Sequence, residues 1–247
     1  MTDRRLMGVK IGPRSLSALV NDACAFIAGR RGTFVFACAN PHSLVVAGSD
    51  EQFRHALNTS SAVVADGIGC QWAAALTGVV VGPRITGMDF FLAVMTALDK
   101  RAGRVFFFGS RPEVLATLRQ RIAAEFPRVK VATLSPPFGS WSEEQNRTMI
   151  EEIRAFGPDV LWVGMTAPKQ EKWVFTHGPT LQVPVIGSIG AVFDYYAGAT
   201  KRAPSWVCDM GMEWLYRLPR EPRRLWRRTF VSGPLFLWSI LRERVLR

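Results

Sequence analysis

Short apolar runs alternate with longer amphipathic ones through the first two hundred residues of the chain. Thr33–Ala39, Ala62–Ala65, Arg104–Phe108, Val129–Leu134, Asp159–Val163 and a run around Val183–Gly187 are strand-like. They are too short and too continuously apolar to be half-exposed, which is the mark of strands buried on both faces of a parallel sheet. Between them the spacing predicts helices over Pro41–Leu57, Gly87–Leu98, Pro112–Ala124, Ser142–Phe156 and Pro168–Thr176. Pro112 suits a first helical turn, and Ser142-x-x-Gln145 is a capping signature. Strands alternating with helices of this length predict an α/β fold: a mostly parallel, twisted, Rossmann-like sheet flanked by helices.

After Thr200 the texture changes. A helix is expected from Pro204 to about Leu218, and Pro219 and Pro222 then interrupt the chain. An Arg-rich helix is expected from Pro222, with a restart at Ser232-Gly233-Pro234 into an apolar segment from Leu235 to Leu241. The reading is therefore a catalytic core over 1–200 and a helical, basic, aromatic-rich appendage over 201–247.

Composition adds little for the core, since 48% hydrophobic and 21% charged residues describe an ordinary globular chain of 247 residues. Charge matters at one end. The formal net charge is +11, and residues 201–247 carry eleven basic and four acidic side chains, so +7 of the excess lies there. Arginines beside Leu225, Trp226 and Trp238 suit an interfacial helix with phosphate-binding capacity. The alternative is a basic nucleic-acid-binding protein using the same arginines. No apolar run reaches the length that spans a bilayer and no signal peptide opens the chain, so a cytoplasmic protein attached peripherally to a membrane is expected. The four cysteines show no metal or disulfide rhythm and are expected to be reduced.

Polar residues at strand ends mark the candidate chemistry, because open parallel sheets bind ligands beyond the carboxyl ends of their strands. Asn40, Asp66, Gly109-Ser110, Thr166 to Gln170 and Asp194 occupy such places. Asp66-Gly67 reads either as a simple turn or as a carboxylate placed to act as general base. The nucleophile elbow, the P-loop and the dinucleotide glycine fingerprint are all absent from the sequence, which argues against a hydrolase triad, a P-loop NTPase and an ordinary dehydrogenase. A nucleotide-sugar dehydrogenase or epimerase is therefore a weak third reading. No metal-ligand cluster and no cofactor are expected, so side-chain cations and helix N-termini would have to stabilise any diphosphate.

An ordered set of motifs runs through the chain: Asn40-Pro41, Ala65-Asp66-Gly67-Ile68-Gly69, Pro83-Arg84-Ile85-Thr86-Gly87-Met88-Asp89, Phe107-Phe108-Gly109-Ser110 and Ser135-Pro136-Pro137-Phe138. It continues with Ala167-Pro168-Lys169-Gln170-Glu171-Lys172-Trp173, Gly190-Ala191-Val192-Phe193-Asp194, Arg202-Ala203-Pro204, Glu213-Trp214-Leu215-Tyr216-Arg217 and Glu221-Pro222-Arg223-Arg224. The set resembles the bacterial WecG/TagA/CpsF glycosyltransferases. The resemblance implies a metal-independent, inverting transfer of a hexose or N-acetylhexosamine from a UDP-sugar to a polyprenyl-diphosphate-linked sugar, at the inner face of the cell membrane, in cell-surface polysaccharide synthesis. It implies Asp66 as catalytic base and places Asn40, Arg84 and Gln170 in the substrate pocket, with Cys38 and Asp194 as further substrate-binding candidates. It implies that Arg217, Arg224 and Arg227 hold lipid diphosphate on an appendage that closes over the site at the membrane. Family members often carry Thr where this chain has Cys38, which bears on the donor contact. Nucleic acid is not an expected partner on this reading, and homo-oligomerisation is left open.

Overall fold

The computed structural model describes residues 5–200, 203, 204, 207, 215, 216, 218 and 226–245. Six strands form one all-parallel sheet: β1 Phe34–Ala39, β2 Ala62–Ala65, β3 Arg104–Gly109, β4 Lys130–Leu134, β5 Val160–Gly164 and β6 Val185–Ser188, in the spatial order β2-β1-β6-β5-β3-β4. Helices α1 Leu16–Gly29, α2 Pro41–Ser49, α3 Glu51–Thr59, α4 Ile68–Thr77, α5 Gly87–Lys100, α6 Pro112–Glu125, α7 Glu143–Phe156, α8 Lys169–Leu181 and α9 Val192–Tyr196 follow or separate them. A π-helical stretch over Arg227–Ser232 leads into α10, Gly233–Val245. The fold is the expected α/β class.

Alternation along the strands shows why their sequences are apolar throughout. Val105, Phe107, Val160 and Trp162 face one core layer with Phe36, Phe90 and Phe91. Phe106, Phe108, Leu161 and Val163 face the opposite layer with Ile153 and Trp173. Both faces are covered, so neither half of the period-two pattern is free to be polar. A third cluster, joining Ala39, Leu44, Val63 and Cys70 with Phe236 and Ile240, packs α10 onto the core.

Local chemistry sets the helix boundaries. Ser142 and Gln145 cap α7 reciprocally, as their spacing predicts. The helix expected over Pro41–Leu57 is instead two, because Asp50 leaves helical geometry at φ −111° and accepts from the Phe53 N–H to start α3. Helix α8 continues past Thr176 to Leu181 with Pro179 in its last turns. Helices α1 and α4 are additional to those expected. The restart at Ser232-Gly233-Pro234 is a change from π- to α-helical winding without a break, as Gly233 keeps helical dihedrals. The helices expected from Pro204 and from Pro222 fall mostly outside the described residues.

One glycine contact is severe enough to test. Gly109 sits at φ +125°, and a Cβ there would lie 2.5 Å from the Gly164 carbonyl oxygen, on the paired strand. Backbone meets backbone, so nothing can yield by a rotamer change. Gly109→Ala is expected to destabilise the protein by about 4 kcal/mol or more, read from urea unfolding.

Candidate functional site

Because every strand is parallel, all six carboxyl ends lie along one edge of the sheet. An open cleft occupies that edge beyond β2, β1, β6 and β5. The register builds it. Cys38 pairs with Val64 and Ala39 with Ala65, so the next residues, Asn40 and Asp66, leave the sheet side by side. Ser188 lies beside Ala37 on one flank and Val163 on the other. The starts of α2, α5 and α8 converge on the same space, through Asn40 and Ser43, Thr86 to Met88, and Ala167, Gln170 and Glu171.

Asp66 is fixed through its backbone. Its N–H donates to the Ala39 carbonyl at 2.8 Å, and Gly67 at φ +103° turns the chain sharply into α4. A side chain at Gly67 would strain that turn, so the Asp-Gly pair both terminates β2 and presents the carboxylate to the cleft. Asn40 caps α2: its Oδ1 accepts from the Ser43 N–H at 3.0 Å, and Ser43 Oγ accepts from the Asn40 N–H at 2.7 Å. Thr86 and Asp89 form the equivalent box at the start of α5.

Gln170 is buried and fully engaged. Its Oε1 accepts from the N–H groups of Met165 and Gly190, at 3.2 and 3.1 Å, tying the loop after β5 to the loop after β6. Its Nε2 donates to Glu171 Oε1 at 2.8 Å. Gln170 is thus a crosslink within the cleft wall, and Glu171 is the group it presents. The other oxygen of Glu171, Oε2, has no hydrogen-bond partner among the described residues. Burial pushes the Glu171 carboxyl up from 4.5 to about 7, against the opposing hydrogen bond from Gln170.

Desolvation, reinforced by the carboxylates of Asp66, Glu171 and Asp89, pushes the Cys38 thiol well above its ordinary range. Cys38 is therefore a neutral thiol and a weak donor, unsuited to thiolate nucleophilic chemistry. Buried Cys70, beside Asp66, is likewise raised, and its thiol points to the Ala39 carbonyl at 3.4 Å. Cys24, Cys38 and Cys70 are free thiols.

The cleft thus brings together Cys38, Asn40, Asp66 and Gln170 from the sequence reading. Two candidates stand outside its wall. Arg84 is half-buried on the loop leading into α5, and Asp194 on α9 accepts from Ser110 Oγ at 3.5 Å while its neighbour Tyr195 lines the cleft. Arg217 and Arg224 lie outside the described residues, as does the side chain of Arg227. Glu171 and Ser188 are wall residues with no role in the sequence reading. Glu171 was visible only as part of a motif, and an acid in the first turn of a helix is unremarkable by itself.

The family model described as "Glycosyl transferase WecG/TagA/CpsF family" matches residues 4–247. This chain belongs to that family. It is accordingly a glycosyltransferase, and the cleft at the carboxyl edge is its candidate active site. Among its relatives is the N-acetylglucosaminyldiphosphoundecaprenol N-acetyl-beta-D-mannosaminyltransferase of Bacillus subtilis (strain 168), 30% identical over 210 residues that cover 85% of this chain and 79% of the relative. The protein of the same description from Staphylococcus aureus (strain MW2) is 26% identical over 240 residues, covering 97% and 92% respectively.

Proposed function

We propose that this chain transfers N-acetylmannosamine from a UDP-linked donor to a polyprenyl-diphosphate-linked N-acetylglucosamine, with inversion and without a metal ion. The observation that carries the reading is the placement of Asp66 beside Asn40 on the cleft wall, in a chain whose relatives are named as N-acetylmannosaminyltransferases acting on N-acetylglucosaminyldiphosphoundecaprenol. Asp66 acts as the base: it takes the proton of the acceptor hydroxyl as that oxygen attacks the anomeric carbon. The bond from that carbon to the donor phosphate breaks in the same displacement, and UDP leaves with the electron pair. A single displacement on an α-linked nucleotide sugar yields a β product, which agrees with the β linkage in the relatives' names.

The leaving diphosphate needs positive potential. The N-terminal ends of α2, α5 and α8 all open onto the cleft, and each contributes partial positive charge. Arg84 stands at the approach to α5, and Arg217, Arg224 and Arg227 are proposed to hold the lipid-side diphosphate. Asp194 and Cys38 are proposed to border the donor. A β product formed in the presence of a chelator, read by the one-bond C1–H1 coupling of the new linkage in NMR, supports this mechanism; an α product or loss of activity to the chelator overturns it.

Membrane docking is proposed for α10. No helix among the described residues is long and apolar enough to cross a bilayer. Yet Leu237, Trp238 and Leu241 are 63%, 58% and 59% exposed, with Arg242 and Arg244 next to them. The same helix buries Phe236 and Ile240 against the core, and Ser232 Oγ meets His42 Nδ1 at 2.8 Å on α2. We propose that this face rests on the inner leaflet and so brings lipid-linked acceptor to the helix pair that carries Asn40 and Asp66. Nearby arginines would each add about 1 kcal/mol on anionic lipid. The double variant Leu237→Glu, Trp238→Glu is expected to lower partitioning onto phosphatidylglycerol-containing vesicles at least about 10-fold in co-sedimentation.

A further inference from the structure

Two buried polar atoms in the cleft wall have no hydrogen-bond partner among the described residues: Glu171 Oε2 and Ser188 Oγ. Glu171 is 5% and Ser188 2% exposed, and both line the same cleft as Asp66. Folded proteins rarely leave such atoms unsatisfied, and one that lines a cleft is placed to meet a water or a ligand there. The surrounding architecture holds them there. Ser188 is fixed between two strands by the sheet register. Glu171 is held by the Gln170 amide, itself locked by two backbone N–H groups.

The chemistry of the matching ligand follows from the pair. The carboxyl groups of Asp66, Asp89 and Glu171 all act on the Cys38 thiol, so acidic groups are gathered at this part of the cleft. A diphosphate would be repelled from an ionised Glu171 in such surroundings. A sugar hydroxyl is both donor and acceptor, and it can give its proton to one oxygen while accepting from the other. We infer that Glu171 and Ser188 form a hydrogen-bonding floor that grips one ring hydroxyl of the transferred glycosyl group, making them donor-specificity residues. This rests on the reading that the cleft receives the donor sugar.

A site built around a hydroxyl strongly rejects the analogue that lacks it, because its buried polar groups are then left unpaired. The test uses the full-length protein with the parent UDP-N-acetylhexosamine and its 3-, 4- and 6-deoxy analogues. Wild type, Glu171→Ala, Glu171→Gln and Ser188→Ala are compared by kcat/KM and by calorimetric donor affinity, with thermal melts to verify folding. In wild type one deoxy donor should lose roughly 100-fold or more. Glu171→Ala should lose roughly 10- to 100-fold on the parent donor and become indifferent to that one hydroxyl. Ser188→Ala should lose discrimination at the same ring position, and Glu171→Gln, which keeps a polar group there, should retain part of it.

A uniform loss on every donor, with the wild-type discrimination intact, is what a purely positioning role through Gln170 produces, and it overturns the inference. So does coupling that appears with deoxy acceptors instead of deoxy donors. Transfer from the parent donor by the wild-type protein separates this inference from the functional reading beneath it. With transfer present, additivity removes the inference alone; without it, the donor reading falls and the inference falls with it.

Discussion

Replacing Asp66 with Asn should lower the turnover number by about 10³-fold while donor affinity stays within a few-fold. The substitution keeps the size of the side chain and the Gly67 turn, and it leaves the Asp66 N–H bond to the Ala39 carbonyl untouched. What it removes is the ability to accept a proton from the attacking hydroxyl. On the proposed reading, donor binding draws on the floor and on the helix N-termini, neither of which the amide disturbs. Steady-state kinetics and calorimetry on the same preparation separate the two effects. Near-normal turnover in Asp66→Asn would remove Asp66 as base, and loss of donor affinity with turnover preserved at saturation would make it a binding residue.

The second large effect concerns stability and pH. Glu171 is held at about 7 in the folded protein against an ordinary 4.5. The folded state therefore binds more protons than the unfolded chain between those values, and stability falls as pH rises through that window. Below about pH 4.5 the group imposes no penalty; above about pH 7 the penalty is complete and on the order of 3 kcal/mol. Glu171→Gln cannot ionise, so it escapes the penalty. Its stability relative to the parent should therefore rise by about 3 kcal/mol between pH 5 and pH 8, which for a chain of this size is a relative gain of roughly 6–12 °C in melting temperature. A difference between variant and parent that stays constant across that range would contradict the burial of an ionisable carboxyl at this position. Partial loss of donor discrimination together with a gain in stability at pH 8 is the combination expected where a binding site retains a strained polar group.

The parts of this architecture that the sequence reveals are those set by period and local chemistry. Strands β3 and β5 announce themselves because both faces of the sheet are covered, leaving no polar alternation to blur them. The Ser142–Gln145 box is a local signal and reads directly. Helix α1 carries another, a Ser15 cap followed by Leu19, Ala23 and Ile27 on one face. Helix α4 is harder: Gly67 provides no side-chain cap, and Trp72 and Leu76 face outward, so its pattern does not mark a buried stripe. The break at Asp50 follows Gly48 and Ser49, poor helix formers whose weight becomes plain once Asp50 is seen capping α3 and pairing with Lys172 at 2.5 Å.

The site divides the same way. Asn40, Asp66 and Gln170 follow strands in sequence, so the rule for parallel sheets finds them. Glu171 and Ser188 differ from ordinary helix and strand residues only by burial and by one atom each, Oε2 and Oγ, that has no hydrogen-bond partner among the described residues. Both properties arise from how β1, β5, β6 and α8 meet, and no single segment encodes them.

The account turns on what the cleft transfers and to what. Mass spectrometry of the product formed by the full-length protein from UDP-N-acetylmannosamine and a short-chain prenyl-diphosphate-linked N-acetylglucosamine asks this directly. The predicted result is an acceptor heavier by one N-acetylhexosamine residue, with UDP released in equal amount and the product absent from the Asp66→Asn reaction. An unmodified acceptor, with donor intact, or the same product from Asp66→Asn at the parent rate, would contradict it.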